Sequence, residues 1–257
     1  MKYLIIILSF LSFTFSTSSK QIGTITKIEY LEIKRKDSIN VFWQGKYYLY
    51  RAGGISKYSK KEVLKNNLNS ERGDLEFKPK NTKTEIIYKD YIKNEIFSKD
   101  LIGFRFFTIK DSLNIIKWDI KNKNKEILGY TCTLAESFFR GRTYQAWFTT
   151  QLIAGGPWKL DGLPGMILKA DTKDGYISFE ATKIVITKER VSKIDLANPY
   201  SSENKFYSWE EFKKKYKEKA IRMSKYNPAD NTSFALPRIR MERYIDIDDL
   251  DYIIGRE

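Results

Sequence analysis

The chain has 257 residues, with 46 lysines and arginines against 32 aspartates and glutamates, and its formal net charge is +14. It contains no histidine and a single cysteine, Cys132, which excludes histidine-based catalytic triads and dyads, histidine-ligated zinc, intrachain disulfides and cysteine-ligated metal clusters. With 42% hydrophobic and 15% aromatic residues, the chain has enough apolar side chains to form a folded core.

The N-terminus has the three-part layout of a secretory signal peptide. Lys2 gives a positive start, Tyr3–Phe15 is apolar, and Ser16–Ser19 provides small residues for cleavage. The apolar run is shorter than the ~20 residues needed to span a bilayer. We predict a signal peptide over residues 1–19 and export to the periplasm or the cell exterior. Because no cysteine lies near the cleavage site, a lipoprotein is not expected.

The positive charge consists mainly of lysine, with 34 lysines and 12 arginines spread along the chain. Nucleic-acid-binding proteins usually concentrate arginine in basic stripes. The pattern here predicts a solvated surface and no nucleic-acid partner. It leaves open a peripheral contact with an anionic envelope surface.

Most of the sequence alternates apolar and polar residues with the period of β-strands. The apolar faces of three strands are expected to point inward: Ile116, Trp118 and Ile120; Tyr144, Ala146 and Phe148; Met166, Leu168 and Ala170. Turns are predicted at Gln44-Gly45, Lys123-Asn124, Arg140-Gly141 and Asp174-Gly175. Connections this short indicate antiparallel pairing. The predicted strands cover residues 22–33, 40–51, 84–96, 102–110, 113–120, 126–138, 143–150, 166–172 and 176–190.

Three segments depart from this strand pattern. Residues 55–82 are polar and rich in lysine and asparagine, and are expected to be loop-rich. Residues 208–226 are predicted to form a helix, because Ser208 and Glu211 make a capping box and an apolar stripe follows at helical spacing. The tail from Pro237 is expected to contain a last strand. The fold class predicted for residues 20–257 is a single mainly β domain, a curved antiparallel sheet or open barrel with the C-terminal amphipathic helix packed on it.

The segment Gly155–Ala170 is the sharpest motif, holding 4 of the 14 glycines and 2 of the 6 prolines. Leu163-Pro164-Gly165-Met166 fits a type II turn, with proline at the second position and a positive φ expected at Gly165. Gly155-Gly156-Pro157 predicts a second bend. The family-signature turn residues are Gly156, Pro157, Gly162, Leu163, Pro164 and Gly165.

The hexapeptide Gly162–Ile167 closely resembles the motif that names the GLPGLI family of exported Bacteroidetes-type proteins. The similarity covers about residues 112–190 and includes Lys125–Cys132, Arg140–Thr149 and Gly156–Lys159. Met166 stands where leucine is usual, and Leu160 where an aromatic residue is common. This resemblance implies a secreted or periplasmic, β-rich protein, and it supplies no settled activity, cofactor or catalytic residues.

Candidate ligand-binding residues are Arg142, Trp147 and Trp158, because two strand aromatics beside an arginine could line a groove for an apolar or amphipathic ligand. The alternative is that both tryptophans belong to the core. Cys132 is expected to be a buried core residue, since no histidine is present to activate it as a nucleophile.

Carboxylates offer the remaining catalytic and metal-binding alternatives. Asp161, Glu136 and Glu180 lie nearest the motif and are the first candidates for a hydrolase pair, which requires two acids within about 10 Å. The acidic run Asp246–Asp251 lacks the glycine and distal glutamate of an EF-hand loop, so no metal site is predicted there.

Together these observations favour an exported, non-enzymatic envelope protein that needs no cofactor. It would bind an apolar or amphipathic ligand, or an envelope protein partner. A carboxylate-dependent hydrolase acting on envelope glycans or peptides, and a purely structural protein, remain as alternatives.

Overall fold

The computed structural model describes residues 22–35, 40–66, 86–102, 105–190 and 195–224. The predicted signal peptide, the predicted C-terminal strand and the acidic run Asp246–Asp251 lie outside the described residues. Within them, none of the helical structure has the length and apolar character that a membrane crossing requires.

Within the described residues, eleven antiparallel strands form one sheet, with the order β6-β5-β4-β3-β2-β1-β11-β10-β9-β8-β7. The predicted fold class is confirmed: the described chain is mainly β, the sheet is not closed, and helix α1 follows the last described strand. The elements are β1 Ile22–Arg35, β2 Val41–Ala52, β3 Ile55–Asn66, β4 Ile86–Asp90, β5 Glu95–Ile102, β6 Arg105–Ser112, β7 Asp119–Ile127, β8 Tyr130–Phe139, β9 Arg142–Thr149, β10 Met166–Thr172, β11 Ile177–Arg190 and α1 Trp209–Ser224.

The long strands β3, β2, β1 and β11 form the centre of the sheet, and a smaller group of strands is attached on each side. On one side β4 pairs only with residues 55–59 of β3. On the other side β10 pairs only with residues 178–180 of β11. The two groups are therefore joined at opposite ends of the centre. This arrangement lets the sheet fold over its own inner face, the face that carries Ile28 and Tyr30.

The inner face is covered by the β9–β10 connection, residues 150–165, which we call the signature loop. Its side chains Leu152, Trp158, Leu160 and Leu163 are buried in the main hydrophobic cluster together with Tyr144 and Phe148 of β9 and residues of β1, β2 and β3. The predicted inward faces of β9 and β10 are confirmed, since Tyr144, Ala146, Phe148, Met166, Leu168 and Ala170 are all buried.

The segment after β11 wraps around the β6 edge. Tyr200 packs against Phe97 and Tyr88 on the outer face, and Tyr207 bonds to the backbone of β6. Helix α1 then packs Phe212 and Tyr216 against Phe107 and Ile109. The predicted capping box is present, because the Glu211 carboxylate accepts a hydrogen bond from the Ser208 backbone N–H at 2.8 Å.

Several predicted boundaries were wrong. Residues 55–66 form strand β3 where a loop was expected, and the predicted strand 84–96 is divided by a turn at residues 91–94. Lys123-Asn124 lies inside β7, and the chain turns at Leu128-Gly129, where both residues have positive φ. Residues 113–118 are not a strand; Ile116 is buried, whereas Ile120 is 51% exposed.

Gly45 was predicted to form a turn but lies within the continuous strand β2. Its lack of a side chain serves packing instead, because a Cβ there would lie 2.6 Å from the Trp43 ring and 3.0 Å from the Glu62 carbonyl oxygen. Glycine inside a strand can mark such a close approach rather than a bend.

Candidate functional site

The signature loop is fastened to the sheet by a buried lysine. Lys89 of β4 is 1% exposed, and its ammonium group donates to three acceptors of the loop. These are the carbonyl oxygens of Gly156 at 3.0 Å and Leu160 at 2.8 Å, and the Asp161 carboxylate at 2.9 Å. Burial lowers the Lys89 pKa, and the adjacent Asp161 carboxylate opposes that shift. All three donors of the ammonium are used, so this group is structural.

Asp161 is the acceptor at the centre of this network. Its Oδ2 also accepts from the Tyr91 hydroxyl at 2.7 Å, and its Oδ1 accepts from the Gly162 backbone N–H at 2.8 Å. Trp118 donates its indole N–H to the Asp161 carbonyl at 2.7 Å. Burial, reinforced by Asp161, raises the Tyr91 pKa well above its usual value. A carboxylate bound on both oxygens in this way is held in place and is not available as a catalytic base.

The glycines of the motif have different structural roles from those predicted. Positive φ occurs at Gly162, at 89°, and Gly165 does not share it. Gly165 is required by close approach, because a Cβ there would lie 2.0 Å from the Thr149 carbonyl oxygen. Gly156 is similarly enclosed, with the Leu160 carbonyl oxygen 2.6 Å from a Cβ position. Leu163 is buried and Pro164 exposed, while the Pro157 carbonyl accepts from Leu160 N–H at 3.1 Å.

The three predicted ligand-binding residues do not form one groove. Trp158 is buried on the inner side, stacked between Tyr144 and Phe179 at centroid distances of 6.3 and 6.2 Å. Trp147 is half-buried on the outer face, where the Lys125 ammonium lies 4.2 Å from the centroid of its ring. Arg142 is 5% exposed at the base of β9, where it pairs with Asp174 and lies over the Tyr176 ring.

Trp158 also has an unusual backbone conformation, with φ at 48°. A bulky residue in the left-handed region is strained, and the surrounding structure must hold it there. Trp158 is buried between the rings of Tyr144 and Phe179, which makes it a core residue of the signature loop.

The candidate carboxylates are also separated. Glu136 lies on the outer face of β8, bonded to Gln145 and Lys173, and Glu180 lies on β11, paired with Lys169. Three strand spacings, or about 14 Å, separate β8 from β11, and Asp161 lies on the inner side. The hydrolase pair predicted from these acids is therefore not assembled. Among the residues that the structure describes, no group of three acidic or cysteine side chains could hold a metal ion.

Cys132 lies on β8 and is fully buried. Burial raises the pKa of its thiol to about 11, so at neutral pH the side chain is an uncharged thiol in the core.

The outer face carries a polar pocket of about 270 Å³. It lies beside the loop that leads to Tyr200, whose hydroxyl fastens this loop by donating to the Ile86 carbonyl at 2.5 Å. In its lining, the Lys57 ammonium pairs with the Asp195 carboxylate at 2.8 Å, and the Asp195 side chain is 78% exposed. We call this the outer pocket; it is lined by Lys57, Ile86, Asp195, Ala197, Asn198, Pro199, Ser201 and Ser202.

Tyrosine rings lie next to the outer pocket on the same face. Tyr50 is the direct cross-strand neighbour of Lys57, and its ring lies 5.9 Å from that of Tyr48. Lys27 lies 3.9 Å from the Tyr48 centroid, and Lys61 lies 4.8 Å from it. Both tyrosines are half-buried. The result is a pair of tyrosine rings with lysine ammonium groups over them, next to a polar pocket.

Sequence reasoning missed the outer pocket. Lys57 lies in a segment that was interpreted as a loop, and Asp195 and Asn198 follow the last predicted strand with no motif of their own. The alternation of Lys46, Tyr48 and Tyr50 along β2 was the one available signal, because it places these side chains on the face opposite Tyr47 and Leu49.

Comparison with known proteins gives a family match and several structural likenesses. Residues 69–207 match the family described as "N-glycanase peptide, N-terminal domain". One solved structure, titled "Structure of PNGF-II in P21 space group", has 18% identity and a TM-score of 0.47 over 72% of this chain and 31% of that chain. A second, in the C2 space group, has 17% identity and a TM-score of 0.49 over 76% and 32%. No curated protein matches the chain.

Proposed function

The chain belongs to the family of N-glycanase peptide N-terminal domains, and from this premise we propose that it is a non-catalytic domain of an exported protein that binds carbohydrate on the outer face of its sheet. The chain spans about a third of the length of the solved proteins that it resembles. In this proposal the GLPGLI-type motif builds the fold and is not itself the binding site.

The outer pocket is the observation that carries this proposal. Sugars are bound through hydroxyl groups that both donate and accept, so their sites combine carboxylate or amide oxygens with amine or hydroxyl donors. Asp195, Asn198, Lys57 and Ser201 supply this combination in one small pocket. A volume of about 270 Å³ accommodates one or two sugar rings, with the rest of an oligosaccharide outside.

Tyr50 extends the site beyond the pocket. The apolar C–H face of a sugar ring packs on an aromatic ring, and tyrosine presents such a ring while its hydroxyl stays in water. Because Tyr50 neighbours Lys57 on the outer face, a sugar bound in the pocket can continue across Tyr50.

The inner face supports the binding of an apolar ligand less well. The signature loop buries Trp158, Leu160 and Leu163 against the inner strands, so the face that was expected to receive such a ligand is occupied by the chain itself. The described part of the molecule leaves the outer face as the better place for binding.

The test is a titration of the full chain with an N-glycoprotein, with the same protein after enzymatic removal of its glycans, and with the released oligosaccharide. Calorimetry should show binding to the glycoprotein and to the oligosaccharide, and none to the deglycosylated protein. Equal binding to both protein forms would support the envelope-protein partner instead, and binding to no form would refute the carbohydrate proposal.

Two variants localise the site. Asp195→Ala should weaken carbohydrate binding about tenfold, since a hydrogen bond to a charged group contributes about 1.5–3 kcal/mol. Glu180→Ala is the matched control, because it removes an exposed acid from the same face away from the pocket. If Glu180→Ala weakened binding as much as Asp195→Ala, the outer pocket would not be the site.

A further inference from the structure

Lys27, Tyr50 and Lys57 form one row across three neighbouring strands of the outer face. Lys27 of β1 is the direct cross-strand neighbour of Tyr50 on β2, and Tyr50 is the direct neighbour of Lys57 on β3. Because neighbouring strands are about 4.8 Å apart, about 10 Å separates the backbones at Lys27 and Lys57. Lys57 lines the outer pocket, so Lys27 lies on the opposite side of Tyr50 from that pocket.

The Lys27 ammonium contacts aromatic rings and not a carboxylate. It lies 3.9 Å from the Tyr48 centroid and 5.4 Å from the Tyr50 centroid, so it is closer to the ring that is farther from the pocket. Among the residues that the structure describes, no acidic side chain pairs with it. An aromatic ring attracts a cation only weakly at a partly exposed site. The three N–H donors of this ammonium are therefore available to an anion.

The carboxylates on the same face have other lysine partners. Three pairs are present: Glu29 with Lys61 at 3.9 Å, Glu62 with Lys46 at 3.6 Å, and Asp195 with Lys57 at 2.8 Å. Glu29 also accepts from the Thr182 hydroxyl at 3.4 Å. Within the described part of the chain, Lys27 is thus the lysine beside the two tyrosines that has no acid of its own.

We propose that the carbohydrate taken by the outer pocket is acidic, and that Lys27 binds the carboxylate of the sugar ring that packs on Tyr50. This inference rests on the proposed carbohydrate site. A sugar that enters the pocket beside Lys57 and continues across Tyr50 reaches Lys27, because these three residues are consecutive neighbours across the strands. A carboxylate there accepts charge-assisted hydrogen bonds, which are stronger than those between neutral groups.

Two kinds of sugar carry such a carboxylate. Sialic acid stands at the end of a glycan chain, and a uronic acid can stand within one. In both, the carboxylate is attached directly to the sugar ring, so packing the ring on Tyr50 holds the acid at the edge of that ring. The chemistry that Lys27 recognises is the same for both sources.

Calorimetric titration of the full chain with two matched pairs of oligosaccharides tests the inference. One pair is an N-linked oligosaccharide that ends in sialic acid and the same oligosaccharide after sialidase treatment. The other is an oligosaccharide that contains uronic acid and its carboxyl-reduced counterpart. We expect the acidic member of at least one pair to bind about fivefold more tightly than the neutral member, the upper end for an ion pair at a protein surface. The pair that shows this preference identifies the source of the acid.

Variants assign the preference to Lys27. Lys27→Gln should reduce the affinity for the acidic member to that for the neutral member and leave the neutral affinity unchanged. Lys27→Arg should retain the preference, because it keeps the charge. Lys46→Gln is the matched control and should also retain it, since it removes a lysine of the same face that pairs with Glu62. Tyr50→Leu should weaken binding of both members, because both pack on its ring.

Equal affinity for the acidic and neutral members in both pairs would overturn the inference and leave the carbohydrate site in place. If no oligosaccharide binds at all, the proposed function fails and this inference fails with it. A loss of preference in Lys46→Gln as large as that in Lys27→Gln would also overturn the inference, because the overall charge of the face would then attract the acid. So would an equal loss of affinity for both members in Lys27→Gln, which would mean that Lys27 only supports the tyrosine rings.

Discussion

Lys89 and Asp161 lie 72 residues apart in the chain and form a buried ion pair with 2.9 Å between Nζ and Oδ2. Removing two charges from water is costly, and the pair is tolerated because the ammonium and both carboxylate oxygens have hydrogen-bond partners. The ammonium also holds the carbonyl oxygens of Gly156 and Leu160. This pair therefore links strand β4 to the signature loop across the inner face.

Replacing Lys89 with methionine tests that link. Lys89→Met leaves the Asp161 carboxylate buried without its cation, and breaking a buried pair in this way costs about 3–5 kcal/mol of unfolding free energy. Denaturant unfolding measures the change.

The double variant Lys89→Met/Asp161→Leu provides the control. With no charge left unpaired, its loss should be smaller than the sum of the two single losses by at least about 1 kcal/mol. Strict additivity would mean that the two groups do not act as a pair.

The buried tyrosines predict a loss of stability at alkaline pH. Burial raises the pKa of Tyr30 well above its usual value. The stabilisation from the neutral phenol is complete below the unfolded pKa of about 10 and is lost as pH rises toward the folded pKa. Each such group steepens the decline of the unfolding free energy by about 1.4 kcal/mol per pH unit in that window.

Tyr30→Phe separates this effect from the hydrogen bond that the hydroxyl donates to the Ile167 carbonyl at 2.5 Å. At pH 7 the variant should lose about 1–3 kcal/mol, because the buried carbonyl is left without its donor. Above about pH 10.5 its stability should decline less steeply than that of the unaltered chain. The titration of Lys89 does not affect this comparison. Because its pKa is lowered in the folded chain, Lys89 changes the unfolding free energy only below its unfolded pKa of about 10.4. If the unfolding free energies of the variant and of the unaltered chain declined equally steeply in that range, the attribution of this decline to Tyr30 would be contradicted.

Much of the fold could be predicted because local patterns and tertiary structure agree. The alternation of Tyr144, Ala146 and Phe148 and the Ser208 capping box each follow from neighbouring residues alone. Lys89 could not be found in this way. A lysine in a strand indicates a solvent-facing position, and only the signature loop, far along the chain, supplies the acceptors that bury it.

The same reason explains the errors at glycines. A glycine in the sequence indicates either a positive φ or a close approach, and the sequence alone does not distinguish them. Gly45 makes room for the Trp43 ring and Gly165 for the Thr149 carbonyl, and both contacts depend on how separate strands or loops meet. The outer pocket, which joins β3 to a loop more than a hundred residues later, depends on tertiary structure in the same way.

Replacing Gly165 distinguishes a glycine required by close approach from a glycine required by a positive φ. Gly165→Ala should lower the unfolding free energy by about 3 kcal/mol, the upper end for overpacking, because the new methyl group meets rigid backbone at 2.0 Å. Gly175→Ala is the matched control. Its φ is 70° with nothing within 4 Å of a Cβ, so it should lose about 1 kcal/mol from backbone strain alone. Equal losses would mean that close approach is not what requires Gly165.

Cys132 provides a direct measure of how closely the core is packed around β8. Because burial raises its thiol pKa to about 11 from 9.0, the thiolate fraction at pH 8 is about a hundredfold lower than for an unshifted thiol. Full burial adds a barrier to any reagent.

A maleimide should therefore label the native chain far more slowly than the chain unfolded in guanidinium, by about a hundredfold or more. If labelling requires global unfolding, the native rate in Lys89→Met should increase by the same factor as the unfolding equilibrium constant, about tenfold for each 1.4 kcal/mol of stability lost. Fast labelling of the native chain would show that β8 opens locally, and it would restore Cys132 as a candidate reactive residue.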